Sequence, residues 1–395
     1  MTPRILILTA GFGEGHNAAA RALAAAFERC DPPARVAVFD AFAAASPRLN
    51  AASRQLYLSL INGAPRVWSR FYAWIDDSEF IQRRLWLFHR EIGVLAERLR
   101  RDPPAAICCT YPLYAFFLQA IRARGVRLPP VYNVVTDSIS IHSLWWRAAC
   151  DGWFLPNADS ADVLLRAGLP PTLVHVSGFP VDAAFRDAGR QLAPPDLAHF
   201  ARPRVLHLVH SGTRHAEATD HALMKETDWD LTCAVGRDRA LRARLTRLAA
   251  RRPFPTRVLG WTDQIPRLLM THHAVISKAG GATTQEAIAA LCPMIVSQIV
   301  PGQEEGNYEL LRRYGVGALA TSPAAVLGSL RAAFADRGRV WAQWRAALWP
   351  LARPDAADDI ARHVLGHFPA VSTLQPLSPD APEPSPVPRL ARAAA

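Results

Sequence analysis

Residues 275–307, VISKAGGATTQEAIAALCPMIVSQIVPGQEEGN, hold the densest set of groups that could do chemistry. An apolar strand runs to Ser277, Gly280 and Gly281 turn the chain, and a helix is expected from near Thr283. The first amides of a helix have no partner within it, and the helix dipole adds partial positive charge there. Gly280, Gly281, Thr283 and Thr284 are therefore expected around a diphosphate. The glycines let the backbone come close where a side chain would block it. Glu286, three residues past Thr283, has two readings. It closes a Thr-x-x-Glu capping box, or it accepts two ribose hydroxyls. Gln303, Glu304, Glu305 and Asn307 follow the next strand, and paired donors and acceptors suit sugar hydroxyls. The other reactive candidate is His16, which ends Gly11-Phe12-Gly13-Glu14-Gly15-His16. Histidine exchanges protons near neutral pH, although a lone histidine at a helix start is more often a surface or capping residue.

Strand-to-helix turns must carry these groups. RILILT (4–9) is a short apolar run followed by the glycine turn and a helical NAAARALAAAFERC. RVAVFDAF (35–42), PAAICCTYP (104–112), PPVYNVVTD (129–137), GWFLPN (152–157) and LVHVSGFPV (173–181) read as further strands. After Pro194, Pro195 and Pro203 the pattern restarts with PRVLHLVHSG (203–212). DLTCAVGR (230–237), TRVLGWTD (256–263), HAVISKAGG (273–281) and PMIVSQIVPG (293–302) follow. Strands alternating with helices mean parallel sheets covered on both faces. The expectation is an α/β chain of two facing Rossmann-like doubly wound domains, 1–190 and 203–350, with a Pro- and Ser-rich disordered tail over 371–395. In open α/β sheets ligands bind at the C-terminal ends of the strands, so the cleft between the halves is the expected site.

Composition agrees with a globular two-domain chain: of 395 residues, 50% are apolar and 20% charged. Lys+Arg exceed Asp+Glu by 45 − 34 = 11, which suits an anionic partner such as nucleic acid, nucleotide phosphate or an anionic membrane surface. The six cysteines form no C-x-x-C pair and no His lies at zinc spacing, so no metal cluster is expected. Cys108 and Cys109 read as small core residues. The N-terminus lacks a signal-peptide pattern and no run approaches 18 apolar residues. The expectation is a cytoplasmic protein that touches the inner face of the cell membrane from outside the bilayer. Residues 53–101 interleave aromatics such as Trp68, Trp74 and Trp86 with arginines such as Arg66, Arg83 and Arg84. That mixture suits a lipid headgroup layer; the plainer reading is a helical insertion with buried aromatics and solvated arginines.

Residues 275–307 resemble the donor-site signature of the family 28 glycosyltransferases. The resemblance is closer to the branch of monogalactosyldiacylglycerol synthases and processive diacylglycerol glucosyltransferases, with K-A-G-G-x-T-x-x-E-A and then P-G-Q-E-x-x-N. Lys278, Ala279, Gly280, Gly281, Thr283, Glu286 and Ala287 match, as do Pro301, Gly302, Gln303, Glu304 and Asn307. The first glycine loop ending in His16, then Val135-Thr136-Asp137, His142, Trp145 and Asp151, and then Gly178-Phe179-Pro180-Val181, also fit that branch. The resemblance spans about residues 4–320. The sequence departs from it at His210-Ser211-Gly212-Thr213-Arg214-His215, where the family has a glycine-rich loop. Ser211, Thr213 and Arg214 could replace backbone donors there. Phe12 and Glu14 interrupt the first loop.

The resemblance implies a GT-B glycosyltransferase that moves a hexose from a UDP-sugar to a lipid hydroxyl, most closely 1,2-diacylglycerol, with inversion. His16 is the expected base; Asp137 is either that base or the group that orients His16. Glu286 is expected on ribose, Gln303 and Glu304 on the hexose, and the helix amides on the diphosphate without a metal or other cofactor. Nucleic acid is not expected as a partner. Three alternatives stay open: a polyprenyl-linked acceptor, a UDP-sugar 2-epimerase, and a non-catalytic nucleotide-sugar sensor.

Overall fold

The computed structural model describes residues 2–366 apart from 78, 190, 200, 210–214, 227 and 303. The expected tail over 371–395 lies outside the described residues. Two six-stranded parallel sheets make up the chain. The first contains β1 (Arg4–Leu8), β2 (Arg35–Phe39), β3 (Ala106–Cys109), β4 (Val131–Val134), β5 (Gly152–Leu155) and β6 (Val174–Val176) in the order β2-β1-β3-β4-β5-β6. The second contains β7 (Arg204–Leu208), β8 (Asp230–Ala234), β9 (Thr256–Leu259), β10 (Ala274–Lys278), β11 (Met294–Gln298) and β12 (Ala318–Leu319) in the order β12-β11-β10-β7-β8-β9. The sheet order reverses beside β1 and β3 in the first and beside β7 and β10 in the second. The loops leaving these strands therefore open into a crevice. β12 has two residues, too few for any apolar pattern.

Burial follows from helices on both faces. β3, β4 and β5 are buried along their whole length, which is why they read as continuous apolar runs rather than alternating ones. Helix Glu14–Arg29 buries Ala20, Leu23, Ala26 and Phe27 against the first sheet, and Ala19 in the cluster with Ala279 and Ala287 of the second half. The small alanines let the helix lie close behind its glycine loop.

The last described helix leaves the second half. Helix Ala356–Gly366 returns to the first, placing Ala357, Ile360, Ala361 and Val364 against Ile5, Leu23 and Phe27. Positions 357, 360, 361 and 364 are one helical stripe. Arg29 pairs with Asp358 at 2.8 Å across the contact. The two-block assignment from sequence left this helix in neither domain.

Between β2 and β3 the chain spends residues 41–101 on helices, among them Pro47–Gly63, Pro65–Asp77 and His89–Arg101. The structure divides this segment into a buried side and an exposed one. Phe80, Ile81, Phe88, Ile92 and Leu95 join the core around Phe117. Leu56, Val67, Phe71, Trp74, Trp86 and Leu87 stay exposed, Trp86 at 62%. Among the described residues no helix is long and apolar enough to cross a membrane.

Candidate active site

His16 sits in the first turn of helix Glu14–Arg29, directly after the loop from β1. Its Nδ1 donates to the Thr110 carbonyl at 2.7 Å, and the Thr136 hydroxyl oxygen lies 2.9 Å from the same nitrogen. A carbonyl only accepts, so Nδ1 carries the proton and the lone pair is on Nε2. Tyr111 packs edge-on to the ring at 5.1 Å. Burial lowers the His16 pKa to about 4, with the Thr110 bond partly opposing it. The imidazole is therefore neutral at pH 7 and able to accept a proton through Nε2.

Asp137 is held elsewhere. The Trp145 indole N–H donates to its Oδ2 at 2.7 Å. Burial raises its pKa to about 6, the Trp145 bond opposes, and the Asp76 charge adds to the rise. The nitrogen through which Asp137 would orient His16 is occupied by Thr110 and Thr136, so those two residues do the orienting. Sequence reasoning noticed Thr136 only as part of a motif. Thr110 acts through its backbone, for which no residue type is a signal.

The second wall begins at β10. The helix there starts at Gly281, not Thr283, with Gly280 as its N-cap and no side-chain cap bond. The Thr284 amide already donates to the Gly280 carbonyl at 2.9 Å. The amides of Gly281, Ala282 and Thr283 are those a helix start leaves free. This placement corrects two expectations. Thr283 is the third helical residue, so Thr283-x-x-Glu286 is no capping box. Thr284 is fully buried with its hydroxyl toward the Met294 sulfur at 3.8 Å, so it belongs to the core and not to a phosphate site. The two extra residues also move Glu286 off the helix start. Burial raises its carboxyl pKa to about 7, Asp182 adding to the rise and Arg21 opposing it. Neither Asp182 nor Arg21 was singled out from sequence; Asp182 directly follows Gly178-Phe179-Pro180-Val181.

The loop after β11 is braced from inside. Glu304 is buried; its Oε1 pairs with Lys278 Nζ, and its Oε2 accepts the Val300 amide at 2.9 Å. Both oxygens are engaged within the protein, so Glu304 anchors the loop to β10 rather than standing free for a hexose. Asn307 is likewise buried and donates to the Ala279 carbonyl at 2.9 Å, holding the glycine turn from behind. Gln303, Ser211 and Thr213 lie outside the described residues. Asp228-Trp229-Asp230 has the spacing of a paired-carboxylate metal site, but it enters β8 at the end opposite the crevice. Trp229 is buried there and Asp230 lies 3.2 Å from Arg202.

The two walls meet. A Cβ on Gly15 would stand 3.8 Å from the Ala282 amide nitrogen, and one on Gly281 would stand 3.1 Å from the Thr136 carbonyl oxygen. The residue before His16 thus faces the free amides of the opposite helix. Tyr72, from helix Pro65–Asp77, lies 3.1 Å from the Cβ position of Gly302 and 4.6 Å, ring to ring, from His142. That puts the partly exposed aromatic helix at the mouth of the same crevice.

Residues 16–181 match the family model described as monogalactosyldiacylglycerol (MGDG) synthase. A curated relative, the processive diacylglycerol beta-glucosyltransferase of Bacillus cereus (strain AH187), is 25% identical over 367 residues, covering 92% of this chain and 93% of the relative. The protein of the same name from Bacillus thuringiensis (strain Al Hakam) is 25% identical over 371 residues. Over most of its length the chain is similar in sequence to these diacylglycerol glucosyltransferases. Solved structures agree on the fold. Acinetobacter baumannii MurG aligns with TM-score 0.59 at 13% identity, covering 92% of this chain and 99% of that one. The UDP-GlcNAc 2-epimerase of Neisseria meningitidis, bound to UDP-GlcNAc, aligns with TM-score 0.56 at 13% identity, covering 92% and 100%. Transferases and epimerases share this architecture, so the fold by itself does not choose between them. The family model and the sequence relatives point to the transferases.

Proposed function

We propose that this protein is an inverting glycosyltransferase that moves a hexose from a UDP-sugar to a hydroxyl of diacylglycerol at a membrane surface. The observation that carries the reading is the meeting of His16, neutral and with Nε2 as its lone-pair nitrogen, with the free amides of Gly281, Ala282 and Thr283. One displacement suffices. The acceptor oxygen bonds to the anomeric carbon as the bond from that carbon to the UDP phosphate oxygen breaks. The acceptor proton passes to His16 Nε2, with Asp137 as the second candidate, and the helix amides meet the charge that develops on the diphosphate. Glu286 holds ribose. No metal is required in this scheme, because the helix start supplies the positive end.

The acceptor is dissolved in the bilayer, so the crevice must reach it. Val67, Phe71 and Trp74 recur along one exposed side of helix Pro65–Asp77, beside exposed Arg66 and Arg70. Apolar groups enter the headgroup layer while each Arg near an anionic surface contributes about 1 kcal/mol. This side is the proposed membrane contact of a peripheral protein.

The test is incubation of the pure protein with diacylglycerol-containing vesicles and either UDP-glucose or UDP-galactose, reading lipids by mass. Hexosyl-diacylglycerol from one donor supports the reading and names the hexose. Release of a free epimer without lipid, or transfer only to a polyprenyl acceptor, replaces it with that alternative. Donor binding with no product leaves the sensor reading.

A further inference from the structure

The loop after β4, residues 136–141, is clamped by the opposite half of the molecule. Ile139 has φ of 56°. The left-handed region crowds any β-branched residue, and such a conformation persists only where the surroundings over-determine it. Most of those surroundings belong to the second half. The Ile139 side chain packs against the apolar cluster that includes Ala287, Leu310 and Leu311. The neighbouring Ser138 is buried, and its hydroxyl accepts a hydrogen bond at 3.0 Å from Gln285 Nε2, one residue before Glu286. Gly306 forms a notch for the same backbone. A Cβ there would overlap the Ser138 carbonyl oxygen and stand 2.5 Å from the Ser140 nitrogen. Gly306 occupies a position that the P-G-Q-E-x-x-N pattern leaves open. The first half contributes the Ser160 hydroxyl, which accepts the Ile139 amide at 3.1 Å.

Three residues before Ile139, the same loop carries the Thr136 hydroxyl that contacts His16 Nδ1. When the second half withdraws, Ile139 loses its apolar seat, Ser138 loses Gln285, and the notch empties. The Ser160 hydroxyl and the Asn157 amide of the first half remain on the loop, but the apolar seat and the Gln285 bond that oppose the strain are gone.

We propose that Ile139 and Gly306 are positioning residues: seating Ile139 in the second half, with the Ser138 carbonyl in the notch at Gly306, fixes Thr136 and Asp137 so that His16 is aligned only when the donor-carrying half is closed on it. This coupling rests on the reading of His16 as the base of the transferase. It adds a specific price for poor closure, paid in turnover and not in donor affinity.

The experiment uses the full chain with diacylglycerol-containing vesicles and UDP-hexose, comparing Ile139→Gly, Ile139→Asn, Ile139→Val and Gly306→Ala. Glycine and asparagine accept positive φ but lack the apolar plug, whereas valine keeps most of it. Ile139→Gly, Ile139→Asn and Gly306→Ala should lower kcat by roughly 10- to 100-fold. Calorimetric UDP affinity and the donor KM should stay within about threefold, and Ile139→Val should recover kcat to within about threefold. An NMR titration of the His16 ring supplies a readout besides activity. In Ile139→Gly the ring should titrate closer to the ordinary 6.5 than to the value of about 4 set by burial in the closed form. Wild-type kcat and an unchanged His16 titration in both Ile139→Gly and Gly306→Ala would overturn the proposal. So would UDP affinity falling in step with kcat, because that marks general damage to the donor site. A wild-type protein that binds UDP yet makes no glycolipid would overturn the transferase reading instead, and the His16 titration would still decide the coupling.

Discussion

Replacing Glu286 by Gln separates its proposed ribose contact from a merely buried carboxyl. Its pKa is raised from 4.5 to about 7, first by burial and then by Asp182. An acid that titrates higher in the fold than in the open chain stabilises the fold in its protonated form. That contribution is full below about 4.5 and is lost as the pH rises through about 7. Ribose hydroxyls donate best to the carboxylate, so donor binding should favour the ionised form. With a pKa near 7, about a tenth of the group is ionised at pH 6 and about nine-tenths at pH 8. UDP-hexose affinity should thus rise roughly ninefold over that interval, about 1.3 kcal/mol. UDP-hexose is the right probe because its phosphodiesters do not titrate there. Glu286→Gln should abolish the pH dependence and weaken binding at pH 8 by about 1.5–3 kcal/mol, the range for hydrogen bonds to a charged group. The same variant should melt above the wild type at pH 8 and alongside it at pH 5. Calorimetry between pH 6 and 8, paired with thermal melts, checks both. A flat wild-type affinity, or an equal slope in Glu286→Gln, would refute the placement of ribose on Glu286.

Three further outcomes follow from the geometry. His16→Ala should leave UDP-hexose affinity nearly intact and lower turnover by roughly 10²–10⁴; near-normal turnover in a steady-state assay shifts the base to Asp137. Glu304→Ala strands Lys278 Nζ and the Val300 amide, and should cost about 3 kcal/mol in denaturant unfolding; an unchanged midpoint shows that the loop does not depend on this brace. Arg66→Glu with Arg70→Glu should cut sedimentation with anionic vesicles by at least about 30-fold, some 2 kcal/mol, and leave UDP affinity unchanged; equal sedimentation with neutral and anionic vesicles removes this helix from the membrane contact.

The sequence by itself determined the strand runs and the turns that end them. Continuous apolar stretches such as AICC and VYNV are legible because strands buried on both faces need apolar residues at every position. The glycines at 280 and 281 are legible as a strand-to-helix turn, although only at Gly281 would a Cβ press on the opposite wall, 3.1 Å from the Thr136 carbonyl oxygen. Composition also marked residues 53–101 as unusual, without revealing which aromatics face the core. Residue type could not reveal where a side chain's polar atoms are spent. Glu304 and Asn307 look like ligands for a sugar, and Thr284 like one for phosphate, yet the tertiary structure uses them as a brace, a prop and a core residue. Thr110 works through its carbonyl, which every residue possesses. Gly306 matters only because the Ser138 carbonyl, far away in the chain, arrives at its Cβ position. Ile139 violates its own backbone preference, and its apolar seat in the other half is a contact that no local pattern could show. Local pattern fixes what each segment can become; the meeting of the two halves decides which polar groups remain free to face a substrate.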